Sequence, residues 1–225
     1  MRTQEKWIQL YSDMGAYWMH DGNPKRPHAI LTSRKHSAGY FNGEIVCENT
    51  LVKHESCEQL VGMFPSDAIN SIDRVVGPAF GAITLADSIA FNIAILRGRT
   101  CFMSYATKIK GDGKIKEFEF VRTSMPKQNE VVLLVEDTLT TGGSVNSLAR
   151  AVMAKGATVL PFVGALVNRS ESKILDGREA YSLIYKYMPT WDTKEDCHAC
   201  NKLGSEAIEE PKSKESWARL NATYE

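Results

Sequence analysis

The residues with the most chemistry to offer stand together at 131–144, VVLLVEDTLTTGGS. Five apolar residues end on two adjacent acids, Glu136 and Asp137. Thr138, Leu139, Thr140, Thr141, Gly142, Gly143 and Ser144 follow at once. Successive backbone N–H groups in such a loop, backed by a helix N-terminus, form an anion cradle. Thr138, Thr140, Thr141 and Ser144 add hydroxyl donors, and the two glycines let the backbone approach a ligand closely. The cradle suits a phosphate. The acids would repel that phosphate, so they must face hydroxyl groups or a metal ion. A ribose 5-phosphate, with an anion at one end and a diol nearby, meets both demands.

Two other phosphate motifs are excluded. No Lys follows Gly143, so the nucleoside-triphosphate loop is absent, and the run Gly77-Pro78-Ala79-Phe80-Gly81 does not fit G-x-G-x-x-G. A bare helix cap would need one acid, and would not need the order acid, acid, threonines, glycines.

The surrounding pattern supplies the elements that must hold this segment. Val and Leu at 131–135 read as a strand buried on both faces. Residues 145–155 read as a helix ended by Gly156. An apolar run at 72–76 ends at Gly77-Pro78, and 83–96 repeats apolar residues at helical spacing. Further strands are expected at 100–106, 118–122 and 158–167. Strands alternating with helices predict a parallel sheet with helices on its faces, and ligands beyond the carboxyl ends of the strands. Near the start, Trp7, Leu10, Tyr11 and Met14 fall on one face of a short helix. We divide the chain into an N-terminal segment (1–70), a core (71–188) and an appendage (189–225) that is charged and poorly periodic, its last part expected to be disordered.

Composition narrows the class. The 225 residues carry 27 Lys plus Arg and 27 Asp plus Glu, a net charge of zero, which argues against a nucleic-acid partner. No apolar run approaches the ~20 residues of a membrane span. The five scattered cysteines argue against a disulfide framework and for a cytoplasmic setting. Cys197-x-x-Cys200 is half of a zinc set; His198 or a second subunit would have to complete it, and the pair is read as two free thiols.

The segment VVLLVEDTLTTGGS resembles the phosphoribosyl-diphosphate signature of type I phosphoribosyltransferases. Within that superfamily the chain resembles the orotate phosphoribosyltransferases over most of its length. The fold implied is an α/β core, a central parallel sheet flanked by helices, with an N-terminal hood and a mobile catalytic hairpin. The run Leu31-Thr32-Ser33-Arg34-Lys35-His36-Ser37-Ala38-Gly39-Tyr40-Phe41 is similar to the family's substrate segment, which would set Tyr40 and Phe41 against the pyrimidine. It departs at Arg34, where the family usually has Gly, and at Thr32, where some members carry a Lys; Lys35 is read as replacing that charge. Residues 76–82 resemble the diphosphate loop, implying contacts from Phe80 and Gly81 and a non-proline cis peptide at Ala79–Phe80. Asn168-Arg169 resembles the family's Asp-Arg pair, whose Arg donates to orotate carbonyls.

The hairpin at 105–122 matches the mobile loop. Lys108 and Lys110 are its candidate catalytic cations, alongside Glu136 and Asp137, and Lys108 also binds the diphosphate. Because this loop serves the neighbouring subunit in the family, a homodimer is implied. The resemblance also implies Mg²⁺, met by Glu136 and Asp137 through water at most. The substrates implied are phosphoribosyl diphosphate and orotate, with Thr140 sharing orotate placement with Tyr40, Phe41 and Arg169. Two other readings stay open: a phosphoribosyltransferase for another base, and a non-catalytic regulator that binds phosphoribosyl diphosphate. The absence of a helix-turn-helix argues against the regulator.

Overall fold

A computed structural model describes residues 1–109, 117–121 and 124–224. The chain divides into two units: one holds Met1 and Val46–Lys186, the other Arg2–Ile45 and Tyr187–Glu225.

The larger unit is built on a seven-stranded sheet. Its order is Ile174–Leu175, Arg178–Tyr185, Thr158–Asn168, Val131–Leu139, Arg74–Pro78, Phe102–Ile109 and Glu117–Glu119. The five inner strands pair in parallel and the two edge strands antiparallel. Val132–Val135 of the central strand are buried on both faces, which is why 131–135 reads as an unbroken apolar run. Helix Gly143–Met153 turns Val145, Leu148, Ala149 and Val152 onto Val132, Leu134, Val163 and Ala165. Helix Ile83–Arg97 buries Leu85, Ala86, Ile89 and Ile93 and stops at Gly98. The strand at 131 runs four residues past Val135, through Glu136, Asp137 and Thr138 to Leu139, because Thr138 and Leu139 keep pairing with Val167 and Asn168. The short helices Gly43–Glu48, Thr50–Val61 and Ser66–Ser71 were not expected; their mixed composition hides them, and only Ser56, Cys57, Leu60 and Val61 of the longest are buried.

Arg74 is a charged residue buried within this sheet at 1% exposure. Its Nε and Nη2 donate to Glu130 Oε2 and Oε1 at 2.7 and 3.0 Å, and its Nη1 to Ser104 Oγ at 2.7 Å. Glu130→Gln leaves a buried guanidinium short of its counter-charge and is expected to cost about 3–5 kcal/mol, read as a fall in Tm. Hydrogen bonds from Arg74 hold the Glu130 carboxyl below its ordinary value of 4.5. A lowered folded pKa makes this contribution complete above the unfolded value and lost as pH falls through the folded one, so acid destabilises wild type more than the variant.

The smaller unit joins the two ends of the chain. Strand His28–Ile30 pairs with His36–Ser37 and with Ala207–Ile208, and Thr190–Trp191 completes this sheet. Tyr17–Met19 pairs with Gly39–Phe41. Helix Gln4–Asp13 buries Trp7 and Tyr11, as its aromatic spacing predicts. The tail ends in helix Lys214–Asn221 rather than in disorder: Ser213 caps it, Leu220 is fully buried, and Trp18 Nε1 donates to the Leu220 carbonyl at 2.8 Å. Among the described residues no helix is long and apolar enough to cross a membrane.

Candidate active site

Strand order reverses at Arg74–Pro78. The chain leaves this strand through helix Ile83–Arg97 toward Phe102–Ile109 on one side. Its neighbour on the other side, Val131–Leu139, leaves through helix Gly143–Met153 toward Thr158–Asn168. The two connections part, and a crevice opens between the carboxyl ends of the strands, where α/β sheets bind ligands.

Both acids come to this crevice. Glu136, Asp137 and Thr138 are half-buried between the sealed strand centre and buried Leu139. A Cβ built on Gly81 would lie 3.1 Å from Asp137 Oδ2, so the loop after the first strand and the acid face each other directly. In that loop the Ala79–Phe80 peptide is cis, as expected, Ala79 N donates to Ala106 O at 2.8 Å, and Phe80 is 84% exposed.

The cradle begins two residues later than the sequence suggests. Thr138 and Leu139 belong to the strand, so the loop proper is Thr140, Thr141 and Gly142, and Gly143 opens the helix. Gly142 takes φ +79°, a left-handed conformation that a side chain disfavours. No side chain caps the helix. The N–H groups of its first turn have no intrahelical acceptor and carry the positive end of the helix dipole. Glu136, Thr138, Leu139, Thr140, Gly142 and Ser144 line one small pocket there.

Two other expected residues reach the same end of the sheet. Lys108 lies opposite Phe118 in the hairpin, exposed, with Nζ 5.8 Å from that ring's centroid. Arg169 follows the strand paired with Leu139, and its N–H donates to Leu139 O at 2.9 Å; its side chain is buried at 6% exposure. Asn168 does not copy an acid's role. Its Oδ1 accepts from Ser170 N and Oγ at 3.0 and 2.7 Å, and its Nδ2 donates to Ser172 O at 3.0 Å, so it shapes the turn after Arg169. The Asn-x-Ser spacing is the sequence signal for such a turn. Lys110 lies outside the described residues, as do Lys114, Lys116 and Arg122.

Tyr40 and Phe41 belong to the smaller unit, where both are buried. Phe41 stacks on Tyr11 at 5.5 Å. Tyr40 packs edge-on to Trp217 and also lines a cavity with Thr32 and Arg34. Arg34 takes φ +67° where the family usually has Gly. Leu31 N to Lys35 O and Arg34 N to Leu31 O close a hairpin turn whose last loop residue must be left-handed, which explains both the usual Gly and the strain of the Arg. Lys35 is held 2.5 Å from Asp192 Oδ1.

No protein-family model matches the chain. An orotate phosphoribosyltransferase of Desulforamulus reducens is 30% identical over 201 residues, covering 89% of this chain and 93% of the relative. The one of Pelotomaculum thermopropionicum is 31% identical over 206 residues, with 92% and 96% covered. The one of Thermotoga maritima is 33% identical over 175 residues, with 78% and 85% covered. Among solved structures, the orotate phosphoribosyltransferase of Aeropyrum pernix shares the fold, with TM-score 0.55 at 18% identity over 88% of this chain and 97% of that one. One from Mycobacterium tuberculosis, in complex with inorganic phosphate, gives TM-score 0.54 at 18% identity, with 81% and 95% covered. Relatives of 30–33% identity aligned over most of their length, with the acid pair and the cradle at the strand-order reversal, make this chain a member of the orotate phosphoribosyltransferase family.

Proposed function

We propose that the protein transfers the 5-phosphoribosyl group of phosphoribosyl diphosphate to orotate, giving orotidine 5′-monophosphate and diphosphate, a step of pyrimidine nucleotide synthesis. The observation that carries this reading is the crevice in which Asp137 faces Gly81 and the uncapped helix at Gly143 begins a few residues on. The bond from ribose C1 to diphosphate oxygen breaks, a bond from C1 to the orotate ring nitrogen forms, and the proton of that ring N–H leaves to the released diphosphate or to solvent. Glu136 and Asp137 hold the ribose hydroxyls and stabilise the positive charge that develops on the ring. The amides and hydroxyls of Thr138–Ser144 hold the 5-phosphate. Phe80, Gly81, Lys108 and Lys110 meet the departing diphosphate, and Thr140 and Arg169 place the orotate. The half-buried carboxylates offer the hard oxygen ligands that suit Mg²⁺, reached through water. Bound with the substrate, Mg²⁺ would neutralise diphosphate charge. We read the working form as a cytoplasmic homodimer.

Acceptor choice tests the assignment. With phosphoribosyl diphosphate and Mg²⁺, kcat/KM for orotate is expected to exceed that for uracil, adenine and hypoxanthine by at least ~10²-fold, since a site built to bond orotate's polar edge rejects bases that lack it. Preference for another base, or no turnover of orotate, would overturn it.

A further inference from the structure

We infer that the smaller unit binds a structural zinc ion through His28, His36, Cys197 and Cys200. The Cys pair supplies half of a tetrahedral set, and the other half comes from the N-terminal hairpin rather than from His198, which is exposed. Ile30 lies opposite His36 in the ladder. Alternation along the strand then puts His28 on the same face as Ile30, diagonal to His36. The tail brings Cys197 and Cys200 against that face.

The distances fit one ion. His28 Nε2 is 3.5 Å from each of Cys197 Sγ and Cys200 Sγ, Cys200 Sγ is 3.5 Å from His36 Nδ1, and the two ring nitrogens are 2.8 Å apart. All four ligand atoms lie within 4.8 Å of one another. Zinc bonds of about 2.3 Å to sulfur and about 2.0–2.1 Å to nitrogen set S···N edges near 3.5 Å and an N···N edge near 3.3 Å. These three S···N edges already match, and the imidazoles need part by only about half an ångström.

The surroundings prepare the ligands. Ser205 Oγ donates to Arg26 O at 2.6 Å, so it accepts from His28 Nδ1 at 3.1 Å and leaves the lone pair on Nε2, facing the cysteines. Gly204, at φ +68°, ends the short π-helix Ala199–Leu203, which contains Cys200, and Ser205 N–H donates back to Ala199 O at 2.9 Å. Cys200 N–H donates to Cys197 Sγ at 3.4 Å, which fixes the turn that sets the two sulfurs side by side. Cys197 and His28 are fully buried and His36 nearly so. Four protein ligands leave no open position, so the ion is structural. It ties the tail to the hairpin beside the apolar cluster of Trp18, Ala29, Tyr40 and Leu220.

Elemental analysis of the full chain, purified untagged without chelator from zinc-supplemented medium, is expected to find about one zinc per chain. Cobalt exchanged into the site is expected to give thiolate-to-metal charge-transfer absorption with tetrahedral d–d bands. Ser205→Ala is expected to weaken zinc about 10–100-fold in chelator competition, Cys200→Ser to weaken it further, and His198→Ala to leave it unchanged. Wild-type protein with less than about a tenth of an equivalent of zinc and no cobalt–thiolate band would overturn the site. So would a Cys197–Cys200 disulfide in the purified wild-type chain, or loss of zinc from His198→Ala.

Discussion

Asp137→Asn is expected to lower kcat for orotidine 5′-monophosphate formation by about 10²–10³-fold, the usual cost of removing one preorganised charge from a developing transition state. The substitution keeps size and shape and changes only charge. Asp137 is half-buried at the strand tip and faces Gly81 across the crevice, so the amide occupies the same space. A loss confined to kcat, with KM for phosphoribosyl diphosphate nearly unchanged and Tm held, marks an interaction made in the transition state. Turnover at the wild-type rate would remove the acid from the mechanism.

Ser144→Asp should act on binding and stability in opposite directions. Ser144 lines the pocket in the first turn of helix Gly143–Met153, which carries no acid there. An aspartate at that position interacts favourably with the helix dipole and should stabilise the fold by about 0.3–1 kcal/mol. The same charge repels a phosphate in the cradle. One pair of unit charges ~4 Å apart near a protein surface costs about 4 kcal/mol, so KM for phosphoribosyl diphosphate should rise roughly 10³-fold. Thermal melts and steady-state kinetics on one preparation read both effects. Unchanged KM with a raised Tm would place the 5-phosphate elsewhere.

The strand, acids, loop and helix at 131–153 were legible because every part is local. The apolar run, the acids and the glycines specify the strand, its functional tip and the turn within a few residues of one another. The reach of the strand to Leu139 was not legible, since it depends on pairing with Val167 and Asn168. Arg34 shows the same division. Its type departs from the family pattern, yet the hairpin still requires a left-handed residue there, so the backbone keeps what the side chain disfavours. Strands of two residues, such as Ala207–Ile208, carry no periodicity to detect.

The order of residues alone thus established a parallel α/β core, its turn of threonines and glycines and the acids beside it, through hydrogen-bonding and burial patterns that repeat over a few positions. Tertiary structure alone decided which strands flank Arg74–Pro78, and so where the crevice opens. It also decided that His28 meets Cys197 across 169 positions and that His36 meets Cys200 across 164. Such meetings depend on which distant surfaces bury one another, and no short window of sequence holds that information.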